Sequence, residues 1–314
     1  MFEYNQDLKT KELYVRLPFQ LDYNYIFLNS MARLIKCVVS DEVTCVLLSC
    51  AENAEYEKLC KAFILNVLHS FVALGKTVKW TSELKHLIEG TVTQKEGSEF
   101  EFIAEASEII ANNELVYYDF SREDSVEKPV KEIARVLVEK SLTINAAQIQ
   151  EFLATTIGEI FSNSFNHSER DEVFLMYEVF YKDGAYYLCV SIIDYGTTII
   201  ANVKKYIEKK KSIEMDSVSC IKWAIQQGNT TMEKSGGYGL STLILYIENI
   251  SGELFIFSGD AVLKIQGDER QIERAEGVFL GTSVTFKVKL RDLDKAIPDD
   301  TVTEKLVNIG LESI

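Results

Sequence analysis

Hydrophobic positions recur along this chain with two periods, and the places where the period switches lay out its elements. Residues 13–17 alternate apolar and polar, the two-residue period of a half-buried strand. Ile26, Phe27, Met31, Leu34 and Ile35 instead fall at the three- and four-residue steps of one helix face across 25–37. An apolar run at 43–48 reads as a buried strand. A long amphipathic helix follows from about residue 55 to 74, closed by Gly75, and then a short strand at 77–80. Short buried strands joined by a helix usually run parallel, so a small α/β unit is expected over residues 1–125.

Residues 91–107 and 121–128 are polar and charged, and Pro129 is the only proline between Pro18 and Pro298, which places a domain boundary near 120–130. A second unit is expected over 126–295, with 296–314 as a tail. Helical spacing resumes at 130–142 and again at 144–167. Two β-rich runs, 173–180 and 186–193, flank Lys182, Asp183 and Gly184, a hairpin signal. Residues 199–211 read as a helix whose end carries Lys204, Lys205, Lys209, Lys210 and Lys211, either a solvated C-terminus or a small positive patch. Helices are expected at 217–227 and 240–249, and strands at 253–258, 261–265 and 278–290, the last preceded by a polar run rich in Glu and Arg.

The helix ending near residue 167 carries the chemistry. Leu153, Ile157, Ile160, Phe161 and Phe165 form its apolar side, and roughly opposite them Glu159, Asn163 and His167 follow at i, i+4 and i+8. Such a stripe reads as a solvated polar face or as one site. In the second case the carboxylate could polarise a water while the amide oxygen holds a hard cation such as Mg²⁺. His167 could support that site or simply cap or pack the helix end.

Two later stretches change the balance. Residues 191–199 read as a buried strand delivering Asp194 into a turn with Gly196, and residues 235–241, with Gly236, Gly237, Tyr238, Gly239 and Leu240, read as a glycine-rich loop opening a helix. In this order the three motifs resemble the nucleotide site of the GHKL superfamily, which includes type II topoisomerase ATPase subunits, MutL-type repair proteins, histidine kinases and anti-sigma-factor serine kinases. The resemblance covers roughly residues 130–290. It implies a GHKL (Bergerat-type) α/β sandwich in the C-terminal unit, with a mixed sheet, helices on one face and ATP between helix and sheet. The smaller N-terminal α/β unit is similar in outline to STAS-type regulatory domains, without a motif to secure the name.

By that resemblance Asn163 holds Mg²⁺, Glu159 is general base for water or a hydroxyl, and Asp194 accepts a hydrogen bond from the adenine amino group beside Gly196. Gly237, Tyr238, Gly239 and Leu240 cradle phosphates. Thr231 and Lys234 lie in the lid, where a hydroxyl and an ammonium could reach the terminal phosphates. Thr282, after Gly281 at the start of the last strand, lines the adenine pocket. The family's second glycine is replaced here by Thr198, which implies a stiffer lid hinge. The function implied is Mg-dependent ATP binding and slow hydrolysis used as a conformational switch with a protein partner or a second copy. The alternative is a serine/threonine kinase of the anti-sigma-factor type. A histidine kinase or a non-catalytic interaction protein fits less well, since His69 and His86 lack a phosphoacceptor context and Glu159, Asn163 and Asp194 are intact.

Composition narrows this further. The 314 residues, 47% hydrophobic and 26% charged, are a globular composition long enough for two domains. A net charge of -15 disfavours polyanion and anionic-membrane binding, so a nucleotide would need Mg²⁺ and local amides. Six cysteines without a CxxC and only three histidines argue against structural zinc and for reduced, mostly buried thiols. No basic-then-apolar leader opens the sequence, and the longest apolar stretch, 62–74, is broken by Asn66, His69 and Ser70. A cytoplasmic protein is expected.

Overall fold

The computed structural model describes residues 2–89, 116–121, 127–140, 146–167, 172–211, 213–231 and 239–295. The expected tail at 296–314 lies outside them. The N-terminal unit opens with an antiparallel pair, β1 (Glu3–Asp7) and β2 (Glu12–Arg16), after which β2 pairs in parallel with β4 (Cys45–Ser49) and β4 with β6 (Thr77–Trp80). The parallel pairings follow from the helical crossovers α1 (Tyr25–Val38) and α2 (Lys58–Ala73). Asn24 caps α1, its side chain accepting from the Phe27 N–H at 3.1 Å, and Gly75 leaves α2 at φ +76°, the left-handed conformation glycine adopts freely. Two-residue strands β3 (Gln20–Leu21) and β5 (Glu55–Tyr56) pair beside this sheet, and α3 (Ser82–Glu89) follows β6.

The larger sheet has the order β10-β11-β9-β8-β7, formed by β7 (Val116–Ser121), β8 (Glu172–Lys182), β9 (Ala185–Asp194), β10 (Glu253–Gln266) and β11 (Glu269–Lys289). All its pairings are antiparallel, which corrects the expected mixed sheet in this unit; the mixed sheet is the N-terminal one. Two of the four pairings, β8–β9 and β10–β11, are hairpins closed by short turns. Asp183 and Gly184 both take positive φ (49° and 77°), the turn chemistry of a tight hairpin, and β10 returns into β11 through another short turn containing Gly267. Strand β7 lies before the 125/126 boundary read from sequence, yet it pairs with β8, so the larger sheet begins inside the stretch assigned to the N-terminal unit.

Two further expectations are corrected. The separate strands at 253–258 and 261–265 are one strand, β10, whose register shifts at Gly259. That shift switches the helix-facing positions from Leu254 and Ile256 to Ala261, Leu263 and Ile265, so one face stays buried throughout. The polar Glu/Arg run is the first part of β11. It is a strand because α1 lies across it: Tyr25 donates to Glu273 at 2.7 Å, Arg33 pairs with Glu276 at 3.0 Å, and the Glu276 N–H donates to Asn29 at 3.2 Å.

Helices α4 (Glu127–Lys140), α5 (Ala146–His167), α6 (Ile199–Lys211), α7 (Ser217–Ala224) and α8 (Gly239–Asn249) pack on one face of the larger sheet, around Leu175, Val190, Ile192, Ile256 and Phe286. The opposite face, with Phe174, Met176, Phe255 and Phe257, shares a core with α1, α2 and the N-terminal strands. Among the described residues, no helix is long and apolar enough to cross a membrane.

Candidate functional site

Strand alternation puts Asp194, the last residue of β9, on the same face as Val190 and Ile192, toward α5. There a cavity of about 330 Å³ opens between α5, the end of β9, the middle of β11, α6, α7 and the start of α8. Glu159, Asn163, Asp194, Thr231, Gly239, Leu240 and Thr282 all line it. Gly196 contributes from behind, its N–H donating to Asp194 Oδ1 at 3.1 Å. Lys234, Gly237 and Tyr238 lie outside the described residues.

Asp194 is 3% exposed. Burial pushes its carboxyl up to about 6, against the pull of the Gly196 N–H, the Ser164 hydroxyl and the Thr282 N–H, all of which favour the anion. Near neutral pH it is therefore mainly an ionised acceptor, nearly dry and ringed by donors. The turn after it is fixed by the Asp194–Gly196 bond and by Thr198, whose hydroxyl accepts from the Ala201 N–H at 3.0 Å in the first turn of α6. This capping bond gives Thr198 a role that a glycine at that position could not fill.

On α5, Asn163 Nδ2 donates to Glu159 Oε1 at 3.4 Å. The Glu159 side chain lies against the first residue of α8: a Cβ on Gly239 would sit 1.8 Å from Glu159 Cγ and 1.9 Å from Oε1. At the far end of the stripe, His167 Nδ1 is 3.3 Å from Thr231 Oγ1, and Asn202 donates to the His167 carbonyl at 2.9 Å, tying both α6 and the segment after α7 to α5. Burial lowers the His167 pKa, so the ring is neutral at neutral pH.

Thr282 lies within β11 and faces Asp194 in the register, a correction to its expected place at a strand start. Its position is set by Ser258, which is fully buried. The Ser258 hydroxyl donates to the Gly281 carbonyl at 3.1 Å and accepts from the Ile199 N–H at 2.8 Å, with Thr282 Oγ1 at 3.0 Å. Gly281 takes φ +145°, and a Cβ on it would fall 2.0 Å from the Asp194 carbonyl oxygen, so the strands approach too closely there for any side chain.

Sequence reasoning missed Ser164, Ser258, Asn202 and Trp223. Ser164 lies one residue beyond Asn163, off the stripe of Glu159 and Asn163, so helix spacing did not point to it. Ser258 and Asn202 are joined to the site only by strand register and helix packing. Ile199, Val203, Trp223, Leu240 and Val284 give the cavity apolar lining beside its polar residues, the mixture typical of small-molecule sites, which span about 300–1,000 Å³. Among the described residues, no cluster of three or more His, Cys, Asp or Glu side chains stands ready to cage a metal. No protein-family model matches the chain, and no characterised protein matches it closely enough to count as a relative.

Proposed function

We propose that the cavity binds ATP with Mg²⁺ and hydrolyses it slowly, in the manner of the GHKL superfamily, as a switch read by a protein partner or a second copy of the chain. The observation that carries this is the convergence on one cavity of Glu159, Asn163, Asp194, Thr231, Gly239, Leu240 and Thr282, drawn from five separate segments. The apolar lining suits a base, and Asp194 supplies the buried acceptor that an exocyclic amine requires. The donor set also suits Mg²⁺. With Nδ2 turned to Glu159, Asn163 presents one hard carbonyl oxygen, enough for a cation that takes most of its ligands from water and phosphate. Bound Mg²⁺ would neutralise phosphate charge. Glu159 would take the proton of the attacking water, and the start of α8 would present backbone N–H groups to the phosphates.

The test is γ-labelled ATP with Mg²⁺ on the purified protein. Glu159→Gln should keep nucleotide affinity while turnover falls roughly 10²- to 10⁴-fold, the usual loss of a general base. Asn163→Ala should weaken Mg-dependent ATP binding itself. Label transferred to a partner protein in place of released phosphate would favour the kinase alternative. A protein that binds no ATP by calorimetry overturns the reading.

A further inference from the structure

The residue after Asp194 points the other way. Alternation sends Tyr195 across the sheet, where its ring stacks on Phe279 (centroids 5.8 Å apart) and meets Phe174 edge-on at 6.0 Å. Phe279 in turn contacts Phe63 of α2 at 6.1 Å. The Tyr195 phenol donates to Asn66 Oδ1, and the Ser70 side chain also bonds it, so both polar partners belong to α2. Asn66 is 1% exposed in a helix whose buried neighbours include Ile64, Leu65, Val67 and Leu68. An amide in such surroundings is costly unless paired, and Tyr195 supplies the donor to its Oδ1. On its other side the Asp194–Tyr195 link is pressed by Gly281, where a Cβ would lie 2.8 Å from Tyr195 Cα. No residue of 2–89 lines the cavity, yet α2 grips the residue adjoining its buried carboxylate.

We propose that Tyr195 is a positioning residue for the cavity: anchored to Asn66 of α2, it holds the Asp194 turn in the orientation that accepts the nucleotide base, so the N-terminal unit sets the affinity of a site it does not touch. This rests on the ATP reading of the cavity. A change that moves α2, such as a partner binding the N-terminal unit, would be felt at Asp194 through one side chain.

Two variants separate positioning from simple packing. Tyr195→Phe keeps the ring but leaves Asn66 without its hydroxyl partner, so stability and ATP affinity should both fall. Tyr195→Phe combined with Asn66→Leu removes both polar groups at similar volume, which is commonly close to neutral for stability. In calorimetry with Mg²⁺ and ATP, the double variant should recover stability relative to Tyr195→Phe yet still bind about three- to tenfold more weakly than the parent. A double variant that binds ATP as tightly as the parent overturns the inference while leaving the ATP reading intact. A parent protein that binds no ATP removes both, and the two failures are told apart by the parental titration.

Discussion

The two faces of the larger sheet use the same strands and both bury polar groups, but the hydroxyl cluster on one and the carboxylate on the other are satisfied to different degrees. Toward α1 and α2, Tyr23, Ser191 and Thr285 form a closed triangle of hydroxyls at 2.9 to 3.2 Å, packed under Phe27 and Phe63. Each hydroxyl is satisfied by the other two. Toward α5, Asp194 is as deeply buried, and its two oxygens offer about four lone-pair positions. Three donors reach them, from Gly196, Ser164 and Thr282, and a cavity lies alongside. Burial of polar groups therefore does not by itself mark a site. Acceptor capacity left over beside a void large enough for a small molecule does.

The sharpest way to break the closed face is at Gly277, where a Cβ would fall 2.0 Å from the Ala32 backbone of α1. Backbone cannot step aside as a side chain can, so Gly277→Ala should lift α1 from β11 and cost about 3 kcal/mol in denaturant unfolding, the upper part of the overpacking range. Loss of only a few tenths would show that this seam is loose.

Asp194→Asn tests the open face. Removing the acceptor for a buried donor should cost roughly 1 to 3 kcal/mol of ATP binding, about ten- to a hundredfold, without unfolding the protein. The pH dependence gives a second signature. Because the folded carboxyl titrates near 6 and not at its ordinary 3.8, its contribution to stability is full below that lower value and is lost as pH rises through about 6. The loss is on the order of 3 kcal/mol at most. The parental protein should therefore lose stability across that window in pH-dependent unfolding, and the Asn variant should be flatter. ATP affinity should move oppositely, falling as pH drops below about 6 and the acceptor is protonated. An ATP affinity constant from pH 5 to 8 would exclude Asp194 as the acceptor.

This contrast also explains what the sequence could and could not disclose. Period and turn chemistry located α1, α2, α5, β8 and β9 within a few residues, because each buries one continuous face and ends at a legible cap or turn. The spacing of Glu159 and Asn163 was legible for the same reason: it is a property of one helix. The antiparallel order of the larger sheet, the switch of parity at Gly259 and the pairing of the polar run at 269–277 were not legible. Each depends on a partner distant in sequence, here α1 lying over β11. Ser258 belongs with these, since a buried strand serine is indistinguishable in sequence from the closed-face Ser191. Tyr195 reads as one more apolar strand-end residue until α2 is placed beneath it.

The mildest substitution repeats the Gly277 experiment on the open face. At Gly239 a new Cβ meets the Glu159 side chain at 1.8 Å, a collision with a group that can turn to another rotamer on α5. Glu159 is half-buried at the cavity edge, so it has space into which to turn. Gly239→Ala should therefore cost under about 1 kcal/mol in stability, within the range of ordinary surface-adjacent substitutions. Its consequence should appear in chemistry: a carboxylate moved from its place is a poorer base, and single-turnover hydrolysis should slow roughly tenfold, equivalent to about 1.4 kcal/mol of barrier. Adding Glu159→Gln to Gly239→Ala decides whether the slowing runs through that side chain. If it does, the double variant is no slower than Glu159→Gln alone; if the two losses multiply, Gly239 acts on the phosphates directly and not through Glu159.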